Sequence, residues 1–181
     1  MIDLGLPSGT LWSCCNVGAS TYWEVGDFFA WGETEAKENY DATTYKYCDD
    51  QNINNCHDIG SSIIGTQYDV AHVQWGDSWQ MPSNDQIIEL ASKCEFYWGG
   101  VNSVINGYWL RGPNGGRLFL PAAGYYNGST CSQYNEVGFY WLGQQYSGQI
   151  PYATSFSFDV DDTYLYYVSR MHGFPVRPVA K

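Results

Sequence analysis

Histidines, cysteines and carboxylates carry most acid–base, nucleophilic and metal chemistry in proteins, and in this chain they are dispersed. His57, His72 and His172 lie far apart, and none stands beside another at metal-ligand spacing. Cys48, Cys56 and His57 are neighbours in sequence, but an eight-residue gap inside a loop is no zinc signature. A disulfide between Cys48 and Cys56 is the better reading, because it would pin a loop that has little else to hold it. Cys14 and Cys15 are adjacent and are not expected to close on each other, given disulfide geometry. Six cysteines allow fifteen complete pairings, and free buried thiols are the alternative. Asp159, Asp161 and Asp162 place oxygen donors at i, i+2 and i+3, which begins a calcium site. No following glycine and glutamate complete the loop pattern, so a solvated acidic turn is expected there, as at Asp49 and Asp50. Gly112-Pro113-Asn114-Gly115-Gly116 lacks the Lys-Ser/Thr ending of a phosphate loop. Asn127-Gly128-Ser129 matches the glycosylation acceptor pattern, which is frequent by chance. The inventory predicts no catalytic residue, no metal and no cofactor.

The chemistry the chain does offer is recognition. Between Tyr125 and His172 lie nine of the sixteen tyrosines, interleaved with Asn, Ser, Gln, Gly and Asp. Tyrosine supplies rigid contact area at low entropic cost, and small polar residues supply adaptable hydrogen bonds, the composition favoured in antibody-like binding surfaces. With a formal charge of −11 and only eight Lys plus Arg, the chain lacks the cation cluster that a phosphate backbone requires, so nucleic acid is not an expected partner. No run approaches the length of apolar sequence that spans a bilayer, and Met1-Ile2-Asp3-Leu4-Gly5 has neither the basic nor the apolar region of a signal peptide.

These residues must be held by a frame, and 181 residues suffice for one domain with its own core. Leu11 and Trp12 begin a short strand expected to run on through Cys15 to Val17 after a Pro/Gly turn. Residues 33–61 read as a long polar loop pinned by aromatics such as Tyr45 and Tyr47. Tyr68, Ala71, His72 and Trp75 have helical spacing, with Thr66 as the candidate cap and Gly76 as the stop. Ser83 and Gln86 have the spacing of a capping box opening a second helix, whose inward face is Ile87, Leu90, Ala91 and Cys94. Beyond Cys94 short strands and turns follow, with Asn114-Gly115 marking a hairpin. Phe156, Phe158 and Val160 alternate with Ser155, Ser157 and Asp159, the pattern of a strand with one wet face. Two short helices followed by a strand-rich, loop-rich second half define an α+β class.

Long strings of the sequence resemble one family. Asp3-Leu4-Gly5-Leu6-Pro7-Ser8-Gly9-Thr10-Leu11-Trp12, Gly26-Asp27-Phe28-Phe29-Ala30-Trp31-Gly32-Glu33-Thr34, Trp79-Gln80-Met81-Pro82-Ser83, Phe119-Leu120-Pro121-Ala122-Ala123-Gly124 and Gly173-Phe174-Pro175-Val176-Arg177-Pro178-Val179 are similar to the Fibrobacter succinogenes major paralogous domain as found in gut Bacteroides proteins. The resemblance covers essentially the whole chain. It implies a C-type-lectin-like fold of the formylglycine-generating-enzyme type, the scaffold also used by the variable proteins of diversity-generating retroelements. In those proteins a C-terminal segment is varied while the scaffold stays fixed. The corresponding segment here is 126–172, followed by a fixed closing strand.

Tyr, Asn, Ser and Asp are common outcomes of such variation, which fits Tyr126, Asn127, Tyr134, Asn135, Tyr146, Tyr152, Asp159, Asp161, Asp162, Tyr164, Tyr166 and Tyr167. His172 closes the candidate ligand-binding set. The enzyme branch of the resemblance needs a reactive cysteine pair in the C-terminal part, whereas no cysteine follows Cys131. The sequence therefore predicts a non-enzymatic domain that binds a protein or glycan outside the cell, on a cell surface or a phage particle; a static structural or adhesive module is the alternative. For the frame, Trp12, Trp31, Trp79, Phe119, Leu120, Trp141 and Val176 are expected to be buried, and Arg177 to meet an acid or cap carbonyls near the N-terminal strand.

Overall fold

In the computed structural model, residues 1–180 are described. They form an α+β fold of four antiparallel sheets, none closed into a barrel. The elements run β1 (Ile2–Asp3), β2 (Leu11–Trp12), a 3-10 turn (Ile53–Asn55), α1 (Val70–Trp75), β3 (Trp79–Gln80), α2 (Asn84–Lys93), β4 (Glu95–Val101), β5 (Ile105–Arg111) and β6 (Arg117–Pro121). They continue through β7 (Tyr125–Asn127), β8 (Thr130–Ser132), β9 (Gly138–Gln145), β10 (Tyr152–Phe158), β11 (Thr163–Ser169) and β12 (Val179–Ala180). Strand orders are β1-β2-β12-β3, β4-β5-β6, β7-β8 and β9-β10-β11.

Both helices are fixed by side-chain caps. The Ser83 hydroxyl accepts the Gln86 N–H at 3.2 Å and the Gln86 side-chain carbonyl accepts the Ser83 N–H at 2.9 Å, the reciprocal box that opens α2. Its inward face is Ile87 and Leu90; Ala91 is exposed because it lines the groove beside β11, and Cys94, just past the helix, is half-buried against the core. Asp69, not Thr66, caps α1. The Asp69 carboxylate accepts N–H bonds from Gly65, Ala71, His72 and Met81, while Thr66 closes the preceding turn through its carbonyl. Burial raises the Asp69 pKa, and its amide donors oppose that rise without cancelling it. Gly76 ends α1 at φ 89°, as the spacing anticipates.

Two apolar cores lie on either side of β10. Phe156 and Phe158 enter one core with Trp12, Leu90, Leu110, Leu120 and Tyr140. Ala153 enters the other with Trp31, Val70, Trp141, Phe174 and Val176. Consequently Ser155 and Ser157 are buried as well, and the expected wet face of this strand does not exist; of the six alternating residues only Val160, beyond the strand, is exposed. Six of the seven frame residues are buried as expected, and Trp79 is half-buried, packed edge-on against Trp75.

The first strand is shorter than anticipated. After Trp12 the Ser13 hydroxyl accepts the Cys15 N–H and turns the chain. Pairing to the closing segment nonetheless continues through Ser13 N–H to the Pro178 carbonyl and Val17 N–H to the Val176 carbonyl. Residues 33–61 are irregular and pinned by aromatics: Tyr40, Tyr45 and Tyr47 donate to the carbonyls of Phe28, Trp31 and Gly32. Cys48 and Cys56 are disulfide-bonded, whereas Cys14, Cys15, Cys94 and Cys131 are free thiols. Among the described residues no helix is long and apolar enough to cross a membrane.

Candidate functional site

The tyrosine-rich segment divides into two environments. Its first part is built into the fold. Tyr126 is half-buried between Phe28 and Tyr40, with ring centroids at 4.9 and 5.5 Å, and its backbone pairs with Gly173. Tyr140 is buried, and desolvation pushes its hydroxyl up to about 12. Asn135 sits at φ 68° and its side-chain carbonyl accepts the Asn106 N–H, a role that holds a turn against β5. Asn127 is exposed at the tip of the β7–β8 hairpin, and Tyr134 is exposed beside Trp23 and Val104. His172 is not an exposed residue: it packs against Tyr125 and Phe174 at 6.0 and 6.3 Å, and burial lowers its pKa.

The second part forms a surface. On β11, Tyr164, Leu165, Tyr166 and Tyr167 are all exposed, so side chains on both faces of this strand meet solvent. The strand lies at the end of its sheet, paired only to β10 through a register that sets Tyr166 opposite Ser155 and Tyr167 opposite Thr154. Tyr146 stacks flat on Tyr167, centroids 3.9 Å apart at 14° between planes. Tyr152, at the start of β10, is exposed as well.

Beside these rings lies a cavity of about 350 Å³ lined by Asn84, Gln144, Gln145, Thr154 and Leu165 together with Tyr146, Tyr166 and Tyr167. Its floor is polar and ordered. Asn84 N–H donates to the Gln144 side-chain carbonyl at 2.9 Å, and the Thr154 hydroxyl shares its proton between Asn84 Oδ1 and the Gln144 backbone carbonyl, both at 2.9 Å. These bonds use the amide oxygens and leave the amide N–H2 groups of Asn84 and Gln144 to donate elsewhere. Gln145 Oε1 is buried without a partner among the described residues. The site thus brings aromatic rings and side-chain amides to one cavity.

Asp159, Asp161 and Asp162 form the turn entering β11. Asp159 Oδ1 accepts the N–H groups of Asp161 and Asp162 at 2.9 and 3.1 Å, so this acid closes its own turn. Among the described residues no three His, Cys, Asp or Glu side chains are placed to hold a metal ion. Asn84, Gln144, Gln145 and Thr154 were not legible as site residues. Asn84 begins a helix expected to serve only as scaffold, and it is 60 and 70 positions from its partners Gln144 and Thr154. No protein-family model, curated protein or solved structure matches the chain.

Proposed function

We propose that this protein is a non-enzymatic recognition domain that binds a glycan or an extended protein segment at the surface of β10, β11 and the Tyr146 loop. The observation that carries the reading is the stacked Tyr146–Tyr167 pair above the Asn84–Gln144–Thr154 network, with Tyr164, Tyr166 and Tyr152 exposed beside it. Aromatic faces and amide donors together suit sugar rings and peptide groups alike. The proposed contact set is Tyr146, Tyr152, Tyr164, Tyr166 and Tyr167, with Asp159 and Asp161 at one end. Tyr126, Asn135 and His172 support the fold instead.

A C-type-lectin-like scaffold carrying a varied segment belongs to the same proposal. It is supported by the division of 126–172 into a built-in first part and an exposed second part. The disulfide at Cys48 and Cys56 supports an oxidising, extracellular setting. A glycan array and a screen against bacterial surface proteins identify the ligand, and Tyr146→Ala, Tyr166→Ala and Tyr167→Ala are then measured against it. Each is expected to weaken binding about 30-fold, as for a central aromatic anchor. Wild-type affinity in all three variants refutes this surface and leaves the static adhesive module. Substitutions in sister genes confined to 126–172 are expected if the segment is diversified.

A further inference from the structure

We propose a second, separate binding site on the outer face of the β4-β5-β6 sheet, specific for a carboxylated sugar of the hexuronic acid class. Register places Glu95, Arg111 and Arg117 in one cross-strand row, and Tyr97, Trp109 and Phe119 in the next row on the same face. Tyr97, Trp109, Arg111 and Arg117 line a cavity of about 350 Å³, with Leu110 between two of them in β5. That volume lies at the small end of the range for small-molecule sites.

The charges in this cavity are unusual for the chain. Like charges directly opposite on paired strands are destabilising, yet Arg111 and Arg117 are such a pair in a protein with eight Lys plus Arg and a net charge of −11. Both are exposed, and among the described residues neither joins an ion pair. Glu95, the acid nearest in register, is engaged otherwise: its carboxylate accepts the Tyr97 hydroxyl at 2.6 Å. Arg111 faces Glu95 on its other side, so the row carries two cations against one acid, and Arg117 has no acid opposite it in register.

The aromatic side is fixed in advance. Trp109 is half-buried and held by Phe119 and Tyr22, at 4.9 and 5.6 Å, so its ring need not be ordered on binding. A pyranose ring on Trp109 and Tyr97 would place its carboxylate toward two guanidiniums, whose planar forks match that group. A neutral sugar would use the aromatic faces alone, and a bare anion the guanidiniums alone. The site therefore requires both features in one ligand. This inference is independent of the tyrosine surface on β11.

The test uses the intact protein with glucuronic acid, galacturonic acid, glucose and inorganic sulfate, read from indole and guanidinium N–H shifts by NMR. The two uronic acids are expected to shift the Trp109 indole with millimolar affinity, glucose at least tenfold more weakly, and sulfate without moving Trp109. Arg111→Gln and Arg117→Gln are each expected to weaken uronate binding about tenfold or more; both positions are exposed, and an unchanged spectrum elsewhere confirms folding. An exposed variant outside both sites, Val73→Ala on α1, should leave the uronate shift of Trp109 unchanged. The proposal is overturned if no uronate binds at tens of millimolar, if glucose or sulfate reproduces its effect, or if the double arginine variant binds normally.

Discussion

Arg170 and Arg177 are buried, and among the described residues neither meets a carboxylate. Arg177 Nε donates to the Asn16 side-chain carbonyl at 2.7 Å and its Nη1 to the Ser13 and Cys14 carbonyls, which fulfils the expectation that it caps the N-terminal strand. Arg170 donates to the Tyr45 hydroxyl and to the His57 and Ile150 carbonyls, and lies 4.8 Å over the Trp31 ring. Dipoles and an aromatic face thus disperse charges that burial disfavours; burial lowers the Arg177 pKa accordingly. His172 responds to burial in the measurable range. Its pKa lies below the ordinary 6.5 in the folded state, so folding favours the neutral ring. The associated stability is present above about 6.5 and is lost as pH falls through the lower folded value. Asp69 acts in the opposite direction at lower pH, because its raised pKa favours folding as it protonates. His172→Gln is therefore expected to flatten the loss of stability just below pH 6.5, measured as the wild-type minus variant difference in urea unfolding. An unchanged slope refutes the assignment.

Among the elements, the irregular loop 33–61 is held by scattered links. It is joined to the rest by the tyrosine hydroxyls, by Arg170, by the reciprocal Tyr40–Gly128 backbone bridge and by the Gln145 N–H on the Ser61 carbonyl, and internally by Cys48–Cys56, with His57 N–H returning to the Tyr47 carbonyl. Closing so short a loop removes chain entropy worth about 2–3 kcal/mol. Replacing both cysteines by serine is expected to lower stability by about that amount and to accelerate amide exchange at 47–57 before α2 or β9 is affected. Simultaneous acceleration everywhere would show that the loop unfolds only with the whole. Local sequence described some elements well: the capping box of α2 and the Asn114-Gly115 turn declare themselves within a few residues. It failed for β10, because alternation reports which residues differ and not what is layered on each side; Ser155 and Ser157 are buried by the second core. It failed at α1 because Asp69 and Thr66 are both cap formers, and the distant Met81 N–H favours Asp69. The exposed aromatic wall of the candidate site was legible from composition. Its amide floor was not, being assembled from α2, β9 and β10.

At the scale of the molecule, the sheet β1-β2-β12-β3 gathers the first and last strands of the fold. β2 lies between β1 and β12, so these two strands are separated by two strand spacings, about 10 Å. The hydrogen bonds that close the fold, from Val17 and Ser13 to residues 176 and 178, are made beside this junction. A closed ends-together geometry of this kind tolerates reconnection. Joining the termini by a flexible linker of about six residues and reopening the chain at the exposed Ser147–Gly148 turn is expected to give a folded permutant, judged by cooperative unfolding and retained near-ultraviolet dichroism. Loss of the cooperative transition would show that the order of assembly, and not the final pairing, maintains the structure. The same pairing makes the fold a through-going cassette: β1 and β12 both run opposite to β2, so a host chain would enter along one side of this sheet and leave along the other, continuing in the direction in which it arrived.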